Sequence, residues 1–125
     1  MAGSGSVLVI DDEPVLQDVL GSLLTGAGFD YHKATTAAEG MRLLQREAID
    51  LVLMDLRMPL MDGYQATRRI REHKSASVRN IPIIALTADI SAADGEAFLQ
   101  SGMDDLLRKP YEPESLLATL THWIR

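Results

Sequence analysis

The sequence predicts an α/β fold: a doubly wound, five-stranded parallel sheet with helices on both faces. Short β-branched apolar runs alternate five times with amphipathic stretches between Val7 and Arg125. The connections between them are short, which favours a parallel sheet covered on both sides. The length, 125 residues, suits one ordinary domain, whereas an eight-unit barrel needs about 250 residues.

Residues 1–6, MAGSGS, are small and polar and read as an appended leader; 7–125 is the domain. Val7-Leu-Val-Ile10 is the first strand, short and apolar as a buried parallel strand is. Pro14 suits the first turn of the next helix. Leu16, Val19, Leu20, Leu23, Leu24 and Ala27 follow at helical spacing, and Gly28 suits the stop. Residues 29–34 form a weaker, more polar strand, as at a sheet edge. Thr36 and Glu39 fit a capping box. The helix they open carries Met41, Leu43, Leu44 and Ala48 on its apolar side. Asp50 to Asp55 is the central strand, ending abruptly on a carboxylate.

Asp62-Gly63 marks a turn and a cap. A helix then runs to about His73, with Arg68, Arg69 and Arg71 expected to face solvent. Lys74 to Asn80 reads as a loop. Ile81 to Leu86 is the fourth strand, with Pro82 near its beginning. A helix is expected from Ser91, with Gly95 costing it about 1 kcal/mol relative to alanine. Asp104 to Arg108 is the last strand. Pro113 and Glu114 open a final helix with Leu116, Leu117, Leu120 and Ile124 at helical spacing.

Composition excludes several chemistries. The formal charge is −6 and the pI about 4.9, so general nucleic-acid binding is not expected. There is no cysteine, hence no thiol nucleophile, thiolate zinc site or disulfide framework. His32, His73 and His122 are far apart and form no metal motif. No apolar run approaches the roughly 18 residues of a membrane span. A cytoplasmic domain without membrane contact of its own is expected.

In such sheets ligands bind beyond the carboxyl ends of the strands. The residues found there are Asp11 and Asp12 after strand 1, Asp55 at strand 3, Thr87 after strand 4 and Lys109 after strand 5. Singly, each has an ordinary explanation. The aspartates can cap turns, Thr87 can satisfy a backbone group, and Lys109 can be a solvated lysine. Together they form one chemical set. Three carboxylates in one cleft call for a proton or a cation, and all-oxygen ligands favour Mg²⁺. A cation, an ammonium and a hydroxyl are what a phosphoryl group in transfer needs. With no cysteine, a carboxylate is the expected nucleophile.

VLVIDDEP at 7–14, LVLMDLRMPLMDG at 51–63, PIIALTA at 82–88 and GMDDLLRKPY at 102–111 resemble the receiver domain of two-component signalling proteins. The resemblance covers 7–125. It implies a flavodoxin-like (βα)5 fold with strand order 2-1-3-4-5. It also implies an acidic pair Asp11 and Asp12, a phosphoacceptor Asp55, a switch hydroxyl Thr87 and a lysine Lys109 preceding a cis Pro110. For Mg²⁺ it implies direct ligation by Asp12, Asp55 and the carbonyl of Arg57, with Asp11 acting through water. The implied donor is a histidine kinase or a histidine phosphotransfer protein, and the implied chemistry is Mg²⁺-dependent self-phosphorylation and autodephosphorylation. MPLMDGYQATRRIR and GMDDLLRKPY look most like receivers fused to hybrid sensor histidine kinases; the alternative is a free-standing response regulator. A monomer or weak dimer is expected.

The chain departs from the family pattern at Leu106, where tyrosine or phenylalanine is usual. A modest shift around Thr87 and the helix after it is expected in place of a ring rotation. Arg57, two past Asp55, could shield the site, meet a donor, or pair with Asp89; a solvated loop arginine is the plain alternative. Three other classes compete. A non-phosphorylated interaction module would not need all five polar residues. An FMN protein would have a hydroxyl-rich loop where Asp11-Asp12-Glu13 stands. A haloacid-dehalogenase-type phosphatase would carry a second aspartate where Arg57 stands.

Overall fold

The computed structural model describes residues 5–56, 63–87, 100–108 and 112–124, apart from the side chain of Leu16. Five strands, β1 (Ser6–Ile10), β2 (Asp30–Ala34), β3 (Leu51–Asp55), β4 (Ile83–Thr87) and β5 (Asp105–Arg108), form one sheet in the order β2-β1-β3-β4-β5. Every neighbouring pair is parallel. The helices are α1 (Pro14–Gly26), α2 (Ala37–Arg46), α3 (Gly63–Arg71), the one-turn α4 (Ala76–Arg79) and α5 (Pro113–Trp123). No helix among the described residues is long and apolar enough to cross a membrane. The helix expected from Ser91, the Arg57 and Asp89 side chains, Lys109 and the Lys109–Pro110 bond lie outside the described residues.

The period of two along each strand divides the core into two layers. Leu8, Ile10, Val52, Met54, Ile83 and Ala85 meet Leu44 of α2, Ala66 and Ile70 of α3 and Val78 of α4. Val7, Val9, Leu51, Leu53, Ile84 and Leu86 meet Leu20 and Leu24 of α1 and Leu116 and Leu120 of α5. The three central strands are therefore apolar on both faces, which is why they read as continuous runs. β2, at one edge, carries polar residues within the strand, whereas those of β5 and of the central strands stand at strand ends.

Several local expectations are met in detail. Pro14 occupies the first turn of α1, and Gly28 takes φ +95° just after it. Thr36 Oγ1 accepts the Glu39 N–H at 3.1 Å, while Glu39 Oε1 accepts the N–H of Thr35 rather than of Thr36 itself. This cap contributes about 1 kcal/mol. β1 begins one residue earlier than the apolar run, because Ser6 and Asp50 tie the entries of β1 and β3 together. The Ser6 N–H reaches Asp50 Oδ2 and the Asp50 N–H reaches the Ser6 carbonyl, both at 2.8 Å.

Four expectations need correction. Val19 is 51% exposed, and the buried positions of α1 among the described side chains are Gln17, Leu20, Gly21 and Leu24. Ala48 is exposed because α2 stops at Arg46. Lys74–Asn80 is not all loop, since α4 places Val78 in the core. Arg71 does not face solvent. Its guanidinium donates to the carbonyls of Gly102 (2.9 Å), Arg79 (2.8 Å) and Ile81 (2.6 Å) and to Asp104 Oδ2 (2.8 Å). Asp104 Oδ2 in turn accepts the Ile83 N–H at 2.8 Å. Gly102, at φ +96°, leaves the room Arg71 crosses: a Cβ there would stand 3.1 Å from Arg71 Cγ. This clamp joins α3, α4 and the entries of β4 and β5 at the amino edge of the sheet.

Candidate functional site

At the carboxyl edge the parallel registers bring the polar strand ends together. Ile10 pairs with Met54, so Asp11 and Asp12 emerge beside Asp55. Asp55 pairs with Leu86, which places Thr87 one step beyond it on β4. Thr87 pairs with Arg108, the residue before Lys109 in the chain. Four of the residues singled out in the sequence, Asp11, Asp12, Asp55 and Thr87, thus share one edge. Lys109 and Arg57 lie outside the described residues.

Asp11, Asp55 and Thr87 are 0%, 5% and 3% exposed, while Asp12 is more open to solvent. One carboxylate oxygen from each aspartate lies within 4.8 Å of the other two. Like charges at that separation repel by roughly 3 kcal/mol per pair at an effective dielectric near 20, before solvent screening at Asp12. The donor set is all oxygen and anionic, so it fits a small hard divalent cation.

Backbone packing fixes these positions. Asp11 Oδ1 accepts the Glu13 N–H at 3.0 Å, and the Asp11 N–H reaches the Ala34 carbonyl at 3.0 Å. Gly63 brings the start of α3 against the end of β3, its N–H donating to the Leu56 carbonyl at 3.1 Å. A Cβ on Gly63 would stand 2.5 Å from the Asp55 carbonyl oxygen, so no side chain fits there. Leu106 is half-buried against the α2–α3 core and pairs with Ala85, two residues before Thr87 on the same strand.

Two residues beneath the acidic pair escaped the sequence reading. Gln17 is fully buried. Its Nε2 faces the carbonyls of Ala34 (2.8 Å), Asp11 (2.9 Å) and Val9 (3.1 Å). Its Oε1 accepts the Tyr31 hydroxyl, which also lies 3.1 Å from the Gln17 carbonyl. Burial, with the charges of Asp18 and Asp11, raises the Tyr31 pKa above its ordinary value. The available signal was the spacing of Gln17 with Leu20 and Leu24.

A family model described as "Response regulator receiver domain" matches residues 7–121. The chain belongs to that family. The receiver is 39% identical over 118 residues to the sensor protein GacS of Pseudomonas syringae pv. syringae, covering 94% of this chain and 13% of that protein. It is 36% identical over 114 residues to the sensor histidine kinase RcsC of Salmonella typhi, covering 91% of this chain and 12% of that one. The chain therefore spans about an eighth of the length of these relatives. The receiver domain of the sensor histidine kinase PA1611 from Pseudomonas aeruginosa PAO1 superposes with a TM-score of 0.87 at 38% identity, covering 98% of each chain. That structure is described with a magnesium ion coordinated in the active-site cleft. The fold and the family expected from the sequence are those found.

Proposed function

We propose that this receiver accepts a phosphoryl group on Asp55 from a phosphohistidine donor, a histidine kinase or a histidine phosphotransfer protein. The observation that carries the reading is the convergence of Asp11, Asp12 and Asp55 at the carboxyl edge beside Thr87, in a chain of this family. An Asp55 carboxylate oxygen attacks phosphorus, the P–N bond to the donor imidazole breaks, and the imidazole leaves neutral after protonation. Thr87 is the hydroxyl donor for the transferred group, and Lys109 supplies a compensating ammonium. Both interactions are stronger with the transferring group than with the free carboxylate, as catalysis requires.

Asp12, Asp55 and the carbonyl of Arg57 are the proposed direct ligands of Mg²⁺, with Asp11 acting through water. When bound, the cation supplies the positive charge that offsets repulsion between Asp55 and phosphoryl oxygens. The magnesium described for the PA1611 receiver supports this assignment, as does the all-oxygen donor set here. Hydrolysis of the Asp55 acyl phosphate returns the free carboxylate. The proposed parent is a hybrid sensor kinase, supported by the likeness to GacS and RcsC. The proposed site of action is the cytoplasm. With Leu106 in the usual aromatic position, the proposed output is a modest shift around Thr87, limited by how far phosphate favours one state over the other.

Intact-mass analysis after incubation with Mg²⁺ and a small acyl-phosphate or phosphoramidate donor tests the site. The wild type should gain one phosphoryl group and D55N none, with its circular dichroism unchanged. Equal labelling of D55N would overturn the assignment.

A further inference from the structure

We infer that Gln17 is a positioning residue for the acidic pair, and that Tyr31 sets the orientation in which it works. The inference rests on the metal reading above and deepens it. A glutamine amide has two N–H bonds and one oxygen, and its two ends are distinguished only by their partners. Here the partners decide. Three carbonyls, of Val9, Asp11 and Ala34, surround Nε2, and the Tyr31 hydroxyl meets Oε1. Two N–H bonds shared among three acceptors hold the end of β1, the end of β2 and the first residue after β1 in one arrangement. The Asp11 carbonyl belongs to the peptide that leads directly into Asp12. Fixing that peptide fixes the direction from which Asp12 approaches Asp55.

The surrounding residues are shaped to this arrangement. The Tyr31 ring crosses α1 at Gly21, where a Cβ would stand 2.6 Å from the ring. Gln17, Leu20, Gly21 and Leu24 are the buried positions of α1 among its described side chains, and of these Gln17 alone has a polar side chain. A leucine there would fill the space between α1 and the ends of β1 and β2 but would leave the Asp11 carbonyl without its Nε2 donor. The carboxylates would still be present, held less firmly. Loss of residues that orient metal ligands typically costs 10–100-fold in affinity, and Gln17 acts one step further back, through the backbone.

Mg²⁺ titration followed by amide NMR shifts, in parallel with urea unfolding in EDTA, tests this. Q17L should bind Mg²⁺ about tenfold more weakly than wild type, and Y31F about threefold more weakly. Y31F keeps the ring and the packing, so it remains informative if Q17L fails to fold. R71A, which breaks the clamp at the opposite edge, should lower the urea midpoint while leaving Mg²⁺ affinity within twofold of wild type. Q17L and Y31F both binding as wild type does would overturn the inference and leave the metal reading standing. Weakening of R71A equal to that of Y31F would overturn it too, because general loosening would then explain the effect. A wild type that shows no Mg²⁺-dependent shifts would overturn the metal reading itself, and this inference with it.

Discussion

The two edges of the sheet hold polar networks of opposite design. At the amino edge Arg71 places one guanidinium among three carbonyls and the Asp104 carboxylate, which itself accepts a strand N–H. Charge and hydrogen-bond demand are met within the network, and the result is a clamp. At the carboxyl edge Asp11, Asp12 and Asp55 set like charges together over the Gln17 amide, which gives hydrogen bonds and no charge. The first network favours the folded state whatever is bound. The second gathers like charge from three aspartates, an arrangement that fits a small hard divalent cation. The same sheet thus carries a stability device at one edge and the proposed cation site at the other, a clustering of like charge of the kind expected at functional sites.

The largest separation between the edges should appear in stability. R71A strands the Asp104 carboxylate and the carbonyls of Gly102, Arg79 and Ile81. Hydrogen bonds to charged groups contribute about 1.5–3 kcal/mol each, but Arg71 and Asp104 keep 22% and 31% side-chain exposure, so water replaces part of the loss. A net loss of about 2–3 kcal/mol is expected, read as a lower urea midpoint with an unchanged slope. A loss under about 0.5 kcal/mol would show that the clamp is decorative.

The carboxyl edge should respond in the opposite sense. D12N removes one of three converging charges and should leave apo stability equal or slightly raised, while Mg²⁺ affinity falls about tenfold or more. The readout matters here. The Trp123 indole N–H is bonded to Asp105 Oδ2 at 2.9 Å, at the entry of β5 and therefore at the amino edge. Its fluorescence should be nearly silent to Mg²⁺, whereas the amides of Asp11, Asp12 and Glu13 should shift. Equal Mg²⁺ affinities of D12N and wild type would remove Asp12 from the ligand set.

The two edges also differed in how far the sequence exposed them. The carboxyl-edge residues stand at the ends of apolar runs, and a run that stops on a carboxylate marks its own end. Strand identity therefore placed Asp11, Asp12, Asp55 and Thr87 without any tertiary knowledge. Arg71 sits in a basic helix end, where RRIR reads as a solvated face. Only the close approach of Gly102 and Asp104, more than thirty residues away, turns it inward. Gln17 failed for a related reason. An apolar stripe is sought by its apolar members, so exposed Val19 was counted and the buried amide was not. Ala76–Arg79 is too short for periodicity to speak, and its helix depends on Val78 finding the core. Polar groups that serve tertiary contacts leave little local pattern, whereas polar groups that end strands leave a clear one.

The smallest expected effect comes from Tyr31, and it would show that the carboxyl edge resists a further negative charge. Burial, then Asp18 and Asp11, raise its pKa in the folded protein above the ordinary value near 10. As pH rises through 10 the unfolded chain releases this proton first, so the folded state then binds more protons than the unfolded one. Stability must fall with pH in that window and level off above the folded pKa. Below the unfolded pKa the contribution is complete, so no change is expected from this group between pH 6 and about 9. Ionising Tyr31 also removes the donor to Gln17 Oε1, which adds to the loss. All other ionisable groups are common to both proteins, so the quantity to measure is the difference between wild type and Y31F. Urea midpoints taken from pH 8 to 11 should fall more steeply for the wild type, by a few tenths of a molar. Parallel curves would mean that Tyr31 titrates alike in both states and that the charges of Asp18 and Asp11 do not reach it.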